Sequence, residues 1–342
     1  MRKVKIFFVP FLLVISWFYR IIIEIRNLLY DIGFYKTVNF EVPIISIGNI
    51  SIGGTGKTPM VIYLSKLLKK HGINVGIISR GYGRKSKGII IVHNENKLLV
   101  DAKIGGDEPY LIGQELKNTP IIVSNNRKEG IDRLLNQFKV DVILLDDGFQ
   151  HRRVQRDIDI VLISAEDREE SYELLPLGKL REPLRSLKRA HYIIYTKTKN
   201  YNNPKIHSRV NQLLHEEPIN SIVNPILFKI NNKKYHKTFI PKDNVYVFCG
   251  IANPFSFLQT INDFGIKIQN KSFFKDHQVY DKKTLDYLYN QITKNKCESV
   301  LTTEKDLVKI PDFFIKQFNF YIIKIEFLCS TNMMDMIKKI LR

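Results

Sequence analysis

A glycine-rich segment constrains the fold of this chain more than any other feature of its sequence. It reads Ser51-Ile-Gly-Gly-Thr-Gly-Lys-Thr58 and lies between a β-branched run and a helical pattern. Glycines let successive backbone N–H groups turn toward a phosphate, and a helix that begins there adds a favourable dipole. Lys57 would then place its charge on the phosphates, and the Thr58 hydroxyl would bind Mg²⁺. The segment therefore predicts a nucleotide-binding loop, with a ligand-free glycine turn as the alternative.

The segment departs from the usual phosphate-loop pattern, G-x-x-x-x-G-K-[ST], at its first position, where Ser51 replaces a glycine. The glycines that follow still give the backbone the freedom that such a loop needs. The predicted nucleotide-binding residues are Gly53, Gly54, Thr55, Gly56, Lys57 and Thr58.

The segment lies within an alternation of short β-branched runs and helical patterns. Strands are predicted at 44–47, 75–79, 89–92, 121–124, 142–146, 158–163 and 192–196, and helices at 60–70, 108–116 and 128–138. This alternation is typical of βαβ units on a largely parallel sheet. We therefore expect an α/β fold with a core like that of the P-loop NTPases.

The remainder of the chain predicts a second, smaller α/β lobe. Residues 200–240 have weak periodicity and are expected to cross between lobes, and strands follow at 245–248, 300–302 and 320–325, with a closing helix at 333–341. A chain of 342 residues with 44% hydrophobic and 25% charged residues has the length and composition of two globular domains. The predicted domains are a membrane anchor at 1–35, a P-loop core at 36–200 and a C-terminal lobe at 201–342 that completes the active-site cleft.

The N-terminus begins with basic residues and ten apolar ones, at 6–15. Bulky aromatic residues follow where cleavage of a signal peptide would need small ones, and the pattern then becomes amphipathic. A spanning helix needs about 20 apolar residues, but Pro10, Ser16 and Arg20 interrupt the stretch at 6–23. We expect an interfacial or partly inserted anchor helix. A membrane span and an N-terminal core helix remain the alternatives.

The charge of the chain predicts an anionic partner. Lys and Arg number 53 against 34 Asp and Glu, a net charge of +19, which suits nucleic acid, a phosphorylated metabolite or a lipid surface. The stretch 183–215 has seven Lys and Arg and no acidic residue, so it predicts either a face for anionic lipid or a solvated surface. Cys249, Cys297 and Cys329 are far apart in sequence, which indicates a reducing compartment without structural zinc.

A second motif predicts a metal site. Val142-Ile-Leu-Leu-Asp-Asp147 is an apolar strand that ends in two carboxylates, the form of the strand whose acidic end meets the Mg²⁺ of a phosphate loop. Asp146 and Asp147 are therefore predicted to bind the metal together with Thr58. Alone, such an acidic pair is as often a solvated turn.

Two further stretches are rich in polar side chains. Asp107 and Glu108 lie at a predicted helix start in Gly105-Gly-Asp-Glu-Pro109, where Asp107 could simply be a helix cap. Gln150 and His151 follow the metal motif in Asp147-Gly-Phe-Gln-His-Arg-Arg153. Cationic and imidazole groups are costly to leave unpaired near a strand end but useful beside phosphates.

Two acid–base neighbours are more ambiguous. Arg181 and Glu182 adjoin in Leu177-Gly-Lys-Leu-Arg-Glu-Pro183, where a local ion pair is the simple alternative to a ligand contact. Asp276 and His277 adjoin after two phenylalanines, and such a pair is more often structural than functional.

In their order along the chain, these motifs resemble the tetraacyldisaccharide 4'-kinase family, the lipid A 4'-kinases of Gram-negative bacteria. The matching pieces also include Ser79-Arg-Gly-Tyr-Gly-Arg84, Phe248-Cys-Gly-Ile-Ala-Asn-Pro254, Tyr280 and Thr302-Thr-Glu-Lys-Asp306. The match extends over nearly the whole chain, and the ordered set is specific although no single motif is. The family itself usually has a hydroxyl residue at the position of Ser51.

The resemblance implies a fold, a reaction and a location. It implies transfer of phosphate from ATP, with Mg²⁺, to the 4'-hydroxyl of a tetraacyldisaccharide 1-phosphate, by a monotopic or peripheral protein at the cytoplasmic face of the inner membrane. An anionic membrane surface would be a partner, and no nucleic acid is expected.

The resemblance also implies residue roles. Asp107 with His277 would form a catalytic base dyad. The residues expected to line the substrate region or to support it are Glu108, Gln150, His151, Arg181, Glu182 and Asp276.

Two other classes remain as rivals. A membrane-docked ATPase switch normally has a lysine before its paired glycines, where this chain has Ile52. A nucleic-acid-binding module is favoured only by the net charge, because no RNA-binding strand motif, zinc spacing or helix-turn-helix pattern is present.

Overall fold

The computed structural model describes residues 2–167, 172–198, 204–214, 218–231, 234–238, 240–241, 243–329 and 333–338. The chain forms two compact units. The first unit comprises Met1–Arg80, Asn118–Val223 and Phe327–Arg342, and the second unit comprises Gly81–Lys117 and Asn224–Glu326.

The first unit is built around a parallel sheet. Its helices and strands, labelled in chain order, are α1 (Arg2–Asp31), β1 (Ile44–Gly48), α2 (Lys57–Lys70), β2 (Val75–Ser79), β4 (Pro120–Val123), α5 (Arg127–Gln137), β5 (Val142–Asp146), β6 (Ile158–Ser164), β7 (Tyr192–Thr196), α6 (Pro204–Asn211) and α11 (Met333–Ile337). A 3₁₀ helix covers Leu184–Arg189. The strand β8 (Ile219–Asn231) begins in this unit and continues into the second. The strand order is β8-β7-β6-β1-β5-β2-β4, and every neighbouring pair is parallel.

The central strands of this sheet are buried along their whole length. Every residue of β1, β5 and β6 is buried, as expected for parallel strands covered on both faces. Ile47 of β1 pairs in register with Asp146 of β5. The glycine-rich loop after β1 and the carboxylates after β5 therefore start at the same edge of the sheet, as the sequence predicted.

The second unit combines a short N-terminal segment with a longer C-terminal one. Its elements are β3 (Ile90–Asn94), α3 (Ala102–Gly105), α4 (Asp107–Glu115), β9 (Lys234–Lys237), β10 (Val245–Cys249), α7 (Pro254–Asp263), β11 (Ile268–Phe273), α8 (Lys282–Lys294), β12 (Ser299–Thr303), α9 (Glu304–Leu307), α10 (Asp312–Ile315) and β13 (Asn319–Cys329). The strands β11, β10, β12 and β13 form a parallel sheet in that order. Tyr246, Phe248, Phe314 and Phe320 form part of its buried aromatic core.

The mixed α/β fold with a mostly parallel sheet is the one that the sequence predicted. The structure adds β8, which lies in the stretch of weak periodicity expected to cross between lobes. It also adds β11, α7 and α8 in the second unit. Residues 81–117, which the predicted boundaries place in the P-loop core, group with the second unit by their contacts. A single boundary at residue 200 cannot describe a unit assembled from two separate segments.

The N-terminal helix α1 is present at the predicted place and extends over 30 residues. Its Tyr19 hydroxyl donates a hydrogen bond of 2.9 Å to the Arg181 carbonyl, and its Ser16 hydroxyl donates one of 3.1 Å to the Leu174 carbonyl. Among the helices that the structure describes, none has both the length and the apolar character needed to cross a bilayer.

Candidate active site

The glycine-rich segment forms the loop between β1 and α2. Gly53 and Gly56 have backbone φ angles of +120° and +89°, which residues other than glycine rarely adopt. The Thr55 hydroxyl accepts a hydrogen bond of 2.9 Å from the Asn49 side chain, and the Thr55 carbonyl accepts one of 3.0 Å from the Thr196 hydroxyl. Contacts from two neighbouring segments therefore hold the loop in its turn.

The space beside the glycines of this loop is open. A Cβ placed on Gly53 or Gly54 meets no atom of the described residues within 4 Å. Lys57 begins α2, and its Nζ lies 3.6 Å from Oδ1 of Asp147. Thr58 is buried in the first turn of the same helix. Open space, a helix start and a fixed ammonium group are the features that bind an anion.

The two carboxylates at the end of β5 have different surroundings. Asp146 is buried and accepts a hydrogen bond of 2.8 Å from the Ser79 hydroxyl. Asp147 accepts two hydrogen bonds from the Arg181 guanidinium, at 2.9 and 3.0 Å. Burial alone would raise the pKa of Asp147, but the charge of Lys57 and the hydrogen bond and charge of Arg181 outweigh burial and hold that pKa well below its usual range. Asp147 is therefore ionised at neutral pH.

Thr58, Asp146 and Asp147 are the residues that could hold Mg²⁺. Their hydroxyl and carboxylate oxygens are ligands that this hard cation prefers, and Mg²⁺ usually combines one or two carboxylates with phosphate oxygens and water. Within the described ranges, no group of three or more His, Cys, Asp or Glu residues is arranged to hold a metal ion.

Gln150 and His151 follow Asp147 in the sequence by three and four residues. The Gln150 side chain donates a hydrogen bond of 2.7 Å to the Asn49 carbonyl. Burial, and next the charge of Arg127, lower the pKa of His151 to about 4, although the Asp147 charge opposes them. His151 is therefore neutral at physiological pH, in surroundings of positive potential.

A cavity of about 350 Å³ opens beside His151. Arg127 lines it from the first turn of α5 and is itself buried. The other lining residues are Asn125, Asn126, Lys128, His151, Arg153 and Val154. Arg127 belongs to none of the motifs that the sequence shows, although a basic residue at a helix start after a buried strand is a signal for an anion site.

Arg181 and Glu182 do not pair with each other. Arg181 binds Asp147, as described above, whereas the Glu182 carboxylate is fully buried and accepts hydrogen bonds from Arg26, at 2.9 Å, and from Arg189. The local ion pair considered from the sequence is therefore wrong. A direct contact between Glu182 and a substrate would require these protein ion pairs to open.

The second unit contains a carboxylate–imidazole pair. Nδ1 of His277 lies 3.1 Å from Oδ2 of Asp107, the first residue of α4. The N-cap of α4 is Gly106, so Asp107 is not the helix cap that its position suggested. The hydrogen bond to Asp107 raises the pKa of His277, the Asp276 charge adds to this increase, and burial opposes it.

The other predicted residues of this unit surround the pair. Asp276 lies beside the imidazole, with 4.0 Å between Asp276 Oδ2 and His277 Nε2. Glu108 forms an ion pair with Lys305. The Tyr82 ring, which belongs to one of the family motifs, lies with its centroid 5.1 Å from that of His277. The structure therefore brings Asp107, Glu108, Asp276 and His277 into one neighbourhood of the second unit.

A glycine-rich loop at a helix start, a pair of carboxylates at the end of β5 and a carboxylate–imidazole pair, carried by an α/β fold, are the kinds of group that phosphoryl transfer uses. Comparison with known proteins narrows this class. A family model described as tetraacyldisaccharide-1-P 4'-kinase matches residues 8–342. The chain therefore belongs to the tetraacyldisaccharide 4'-kinase family.

Individual relatives agree with this assignment. A tetraacyldisaccharide 4'-kinase of Chlorobaculum tepidum is 37% identical over 298 residues, which cover 86% of this chain and 84% of the relative. The Aquifex aeolicus relative of the same name is 36% identical over 312 residues, with 88% and 90% covered. A crystal structure described as the "apo" form of LpxK from Aquifex aeolicus in complex with ATP superimposes with a TM-score of 0.76 at 32% identity and covers 99% of this chain and 98% of its own.

Proposed function

We propose that this chain transfers the γ-phosphate of ATP to the 4'-hydroxyl of a tetraacyldisaccharide 1-phosphate and so forms a lipid A precursor. The observation that carries the proposal is the hydrogen bond between Asp107 and His277, at 3.1 Å. A carboxylate oriented by an imidazole can accept the proton of an attacking hydroxyl. Membership of the family supplies the substrate class, and the ATP complex of the Aquifex aeolicus relative supports ATP as the donor.

The nucleotide is assigned to the first unit, whose core would be that of a P-loop NTPase. The loop of Gly53, Gly54, Thr55 and Gly56 would cradle the phosphates with its backbone N–H groups. The Lys57 ammonium would move from Asp147 to the β- and γ-phosphates. Asp147 would still be bound by Arg181.

Thr58, Asp146 and Asp147 would hold Mg²⁺. When bound, this ion would neutralise the negative charge that develops on the phosphates. Asp146 is fixed by Ser79 and Asp147 by Arg181, so both carboxylates are oriented before any ligand arrives. Such preorganised groups stabilise a transition state without reorganisation during the reaction.

The acceptor is assigned to the neighbourhood of Asp107. Asp107 would accept the proton of the 4'-hydroxyl, and His277 would orient the carboxylate and tune its basicity. Glu108 and Asp276 would support this pair from its two sides. The contact of Glu108 with Lys305 and that of Asp276 with the His277 ring are the structural support for these roles.

The cavity beside His151 suits a phosphate group of a substrate. Arg127, Lys128 and Arg153 line it, and neutral His151 could donate a hydrogen bond without adding charge. Gln150 and Arg181, which contact Asn49 and Asp147, would line the region of the nucleotide and the sugar, and Glu182 would support that region through its ion pairs with Arg26 and Arg189.

The N-terminal helix would hold the enzyme on its lipid substrate. One side of α1 packs on the rest of the first unit, while Phe11, Phe18 and Ile22 are 63%, 56% and 64% exposed. Bulky apolar side chains on an exposed helix face favour the membrane interface. We therefore propose interfacial binding at the cytoplasmic face of the inner membrane, by a helix that is also docked on the protein.

The basic stretch at 183–215 contributes less free charge than its sequence suggests. Arg185 pairs with Glu24 of α1, Arg189 with Glu182, and Lys197 with Glu166. Lys199 lies outside the described residues. Attraction to anionic lipid would therefore add to the apolar contact of α1 and would not replace it.

The proposal is tested by incubating the purified full-length protein with Mg²⁺, γ-labelled ATP and the disaccharide 1-phosphate in mixed micelles. Label should appear in the lipid extract, and ADP should form only with acceptor present. The control is an acceptor whose 4'-hydroxyl is blocked, which should receive no label. Equal ATP hydrolysis with and without acceptor, and no labelled lipid, would contradict the proposal and favour an ATPase.

A further inference from the structure

Lys309 contacts the same carboxylate oxygen as His277. Its Nζ lies 3.3 Å from Oδ2 of Asp107, and Nδ1 of His277 lies 3.1 Å from that atom. No residue that the structure describes forms a hydrogen bond or ion pair with the other oxygen, Oδ1. Two donors therefore converge on one side of the Asp107 carboxylate.

Lys309 is itself fixed in place. Its side chain is only 10% exposed, and its Nζ lies 3.3 Å from Oδ1 of Asp306 and 5.6 Å from the centre of the Tyr280 ring. A lysine that is confined by two carboxylates and an aromatic face has little of the mobility of a surface lysine.

Asp306 provides the rigid support. It is fully buried and accepts hydrogen bonds from the Gly250 N–H at 3.0 Å, the Tyr280 hydroxyl at 2.9 Å and the Thr303 hydroxyl at 2.6 Å. Lys309 provides the positive counter-charge for the Asp306 carboxylate. A buried carboxylate needs such a partner because burial without one is costly. A chain of contacts therefore leads from the core of the second unit to Asp107.

We propose that Lys309 is a positioning residue for phosphoryl transfer: with His277 it fixes Oδ2 of Asp107, so that Oδ1 is the oxygen that receives the proton. This inference rests on the proposed function. In the reaction, the 4'-oxygen forms a bond to the γ-phosphorus while the bond from that phosphorus to the β–γ bridging oxygen breaks and its electron pair leaves with ADP. The hydroxyl proton passes to Oδ1.

A fixed carboxylate matters because proton transfer depends on geometry. With a single partner, a carboxylate can rotate and exchange its two oxygens, whereas two donors on one oxygen, one of them a charged ammonium, hold its orientation. A misplacement of about 1 Å can cost about 10²-fold in rate. The effect of Lys309 should therefore appear in the chemical step and not in binding.

Lys309 also brings a positive charge close to His277, because both side chains contact Oδ2 of Asp107. The groups that face the imidazole are Asp107, Asp276, Lys305 and the Tyr82 ring. The Lys309 ammonium binds the same oxygen of Asp107, so it repels a protonated imidazole there. Removing this ammonium should raise the pKa of His277 further.

The test compares Lys309→Met, Lys309→Arg and a matched control, Lys316→Met, whose lysine is exposed in the same unit. Lys309→Met should lower kcat about ten- to a hundredfold and leave KM for ATP and for the acceptor within about twofold. Lys309→Arg, which keeps the charge, should recover part of the loss, and Lys316→Met should resemble the wild type. A raised KM for ATP with unchanged kcat would contradict the inference and indicate a phosphate contact.

A second readout needs no substrate. Titration of the His277 ring signals by NMR, assigned from their absence in His277→Ala, should give a higher pKa in Lys309→Met than in the wild type. Lys309→Met could fail to fold because Asp306 would lose its cation. In that case the double variant Lys309→Met with Asp306→Asn removes both charges of the pair, and the His277 pKa is measured in that variant.

The two proposals fail separately. An unchanged His277 pKa in the folded Lys309 variant would contradict the placement of Lys309, whatever the activity of the wild type. A wild-type protein that transfers no phosphate would contradict the proposed function, even if the His277 pKa moves as expected.

Discussion

Arg26 of the N-terminal helix donates a hydrogen bond of 2.9 Å to the fully buried carboxylate of Glu182. Arg189 binds the other oxygen of the same carboxylate. Glu182 is the neighbour of Arg181, whose guanidinium holds Asp147. The helix proposed to bind the membrane is therefore also connected, through one buried ion cluster, to the segment that orients a candidate metal ligand.

This cluster predicts a large loss of stability in Glu182→Gln. The substitution leaves two guanidinium groups without their buried counter-charge, so the free energy of unfolding should fall by about 3 kcal/mol. Chemical denaturation measures this change. Asp335→Asn, which removes one half of an exposed ion pair with Lys338, is the control and should change stability by less than about 1 kcal/mol. Similar stability of Glu182→Gln and the wild type would show that the cluster is not formed.

The exposed face of α1 predicts where membrane binding is lost. Replacing Phe11, Phe18 and Ile22 together by serine removes apolar surface from the exposed face and keeps Arg26 in place, so binding to anionic phospholipid vesicles should fall while the fold survives. Co-sedimentation with vesicles measures the bound fraction. Phe255→Ser, at a site 75% exposed in the second unit, should bind like the wild type. Undiminished binding of the triple variant would locate the membrane contact elsewhere.

The Asp107–His277 pair predicts losses of turnover that do not add. Asp107→Asn keeps the shape but removes the basic oxygen, so turnover should collapse while ATP binding persists. His277→Ala should lower turnover and change its pH dependence, because the carboxylate loses its partner. The double variant should be scarcely worse than Asp107→Asn, since no base is left for the imidazole to assist. Fully multiplicative losses would mean that the two residues act independently.

Buried His151 predicts sensitivity to acid. Its pKa is about 4 in the folded protein, against an ordinary value of 6.5. Between these two pH values the unfolded chain binds a proton that the folded protein excludes, so stability falls as the pH is lowered through this window. His151→Gln should lose less stability than the wild type between pH 7.5 and about pH 5, measured by thermal unfolding. His71→Gln, at an exposed histidine, is the surface control. A stability of His151→Gln that depends on pH in the same way as that of the wild type would contradict this prediction.

The parts of the site that the sequence predicted are those formed by residues close together in the chain. The loop between β1 and α2 follows from glycines beside a buried run, and the carboxylate end of β5 follows from an apolar strand that stops at Asp146. Both motifs extend from the same edge of one parallel sheet, so the sheet itself brings them together. Such features can be predicted from the periodicity of strands and helices alone.

The contacts that the sequence could not predict join distant segments. Asp107 and His277 are 170 residues apart, and Arg26 and Glu182 are 156 apart. Family resemblance suggested the first pair, and nothing suggested the second. Lys309 was overlooked because a lysine in a turn between helices has the pattern of a solvated surface. The strand β8 was missed because half-buried positions alternate with polar ones and a proline.

The most direct test of the central claim is the position of the new phosphate in the product. Wild-type protein, Mg²⁺ and ATP should convert the disaccharide 1-phosphate into a bisphosphate whose new phosphorus couples to the 4' proton in a two-dimensional ¹H–³¹P NMR spectrum, with one ADP formed per product. The folded Lys57→Ala variant should form this product orders of magnitude more slowly, because a charge on the phosphates is lost. A phosphate on any other oxygen, or no bisphosphate while ATP is consumed, would contradict the account.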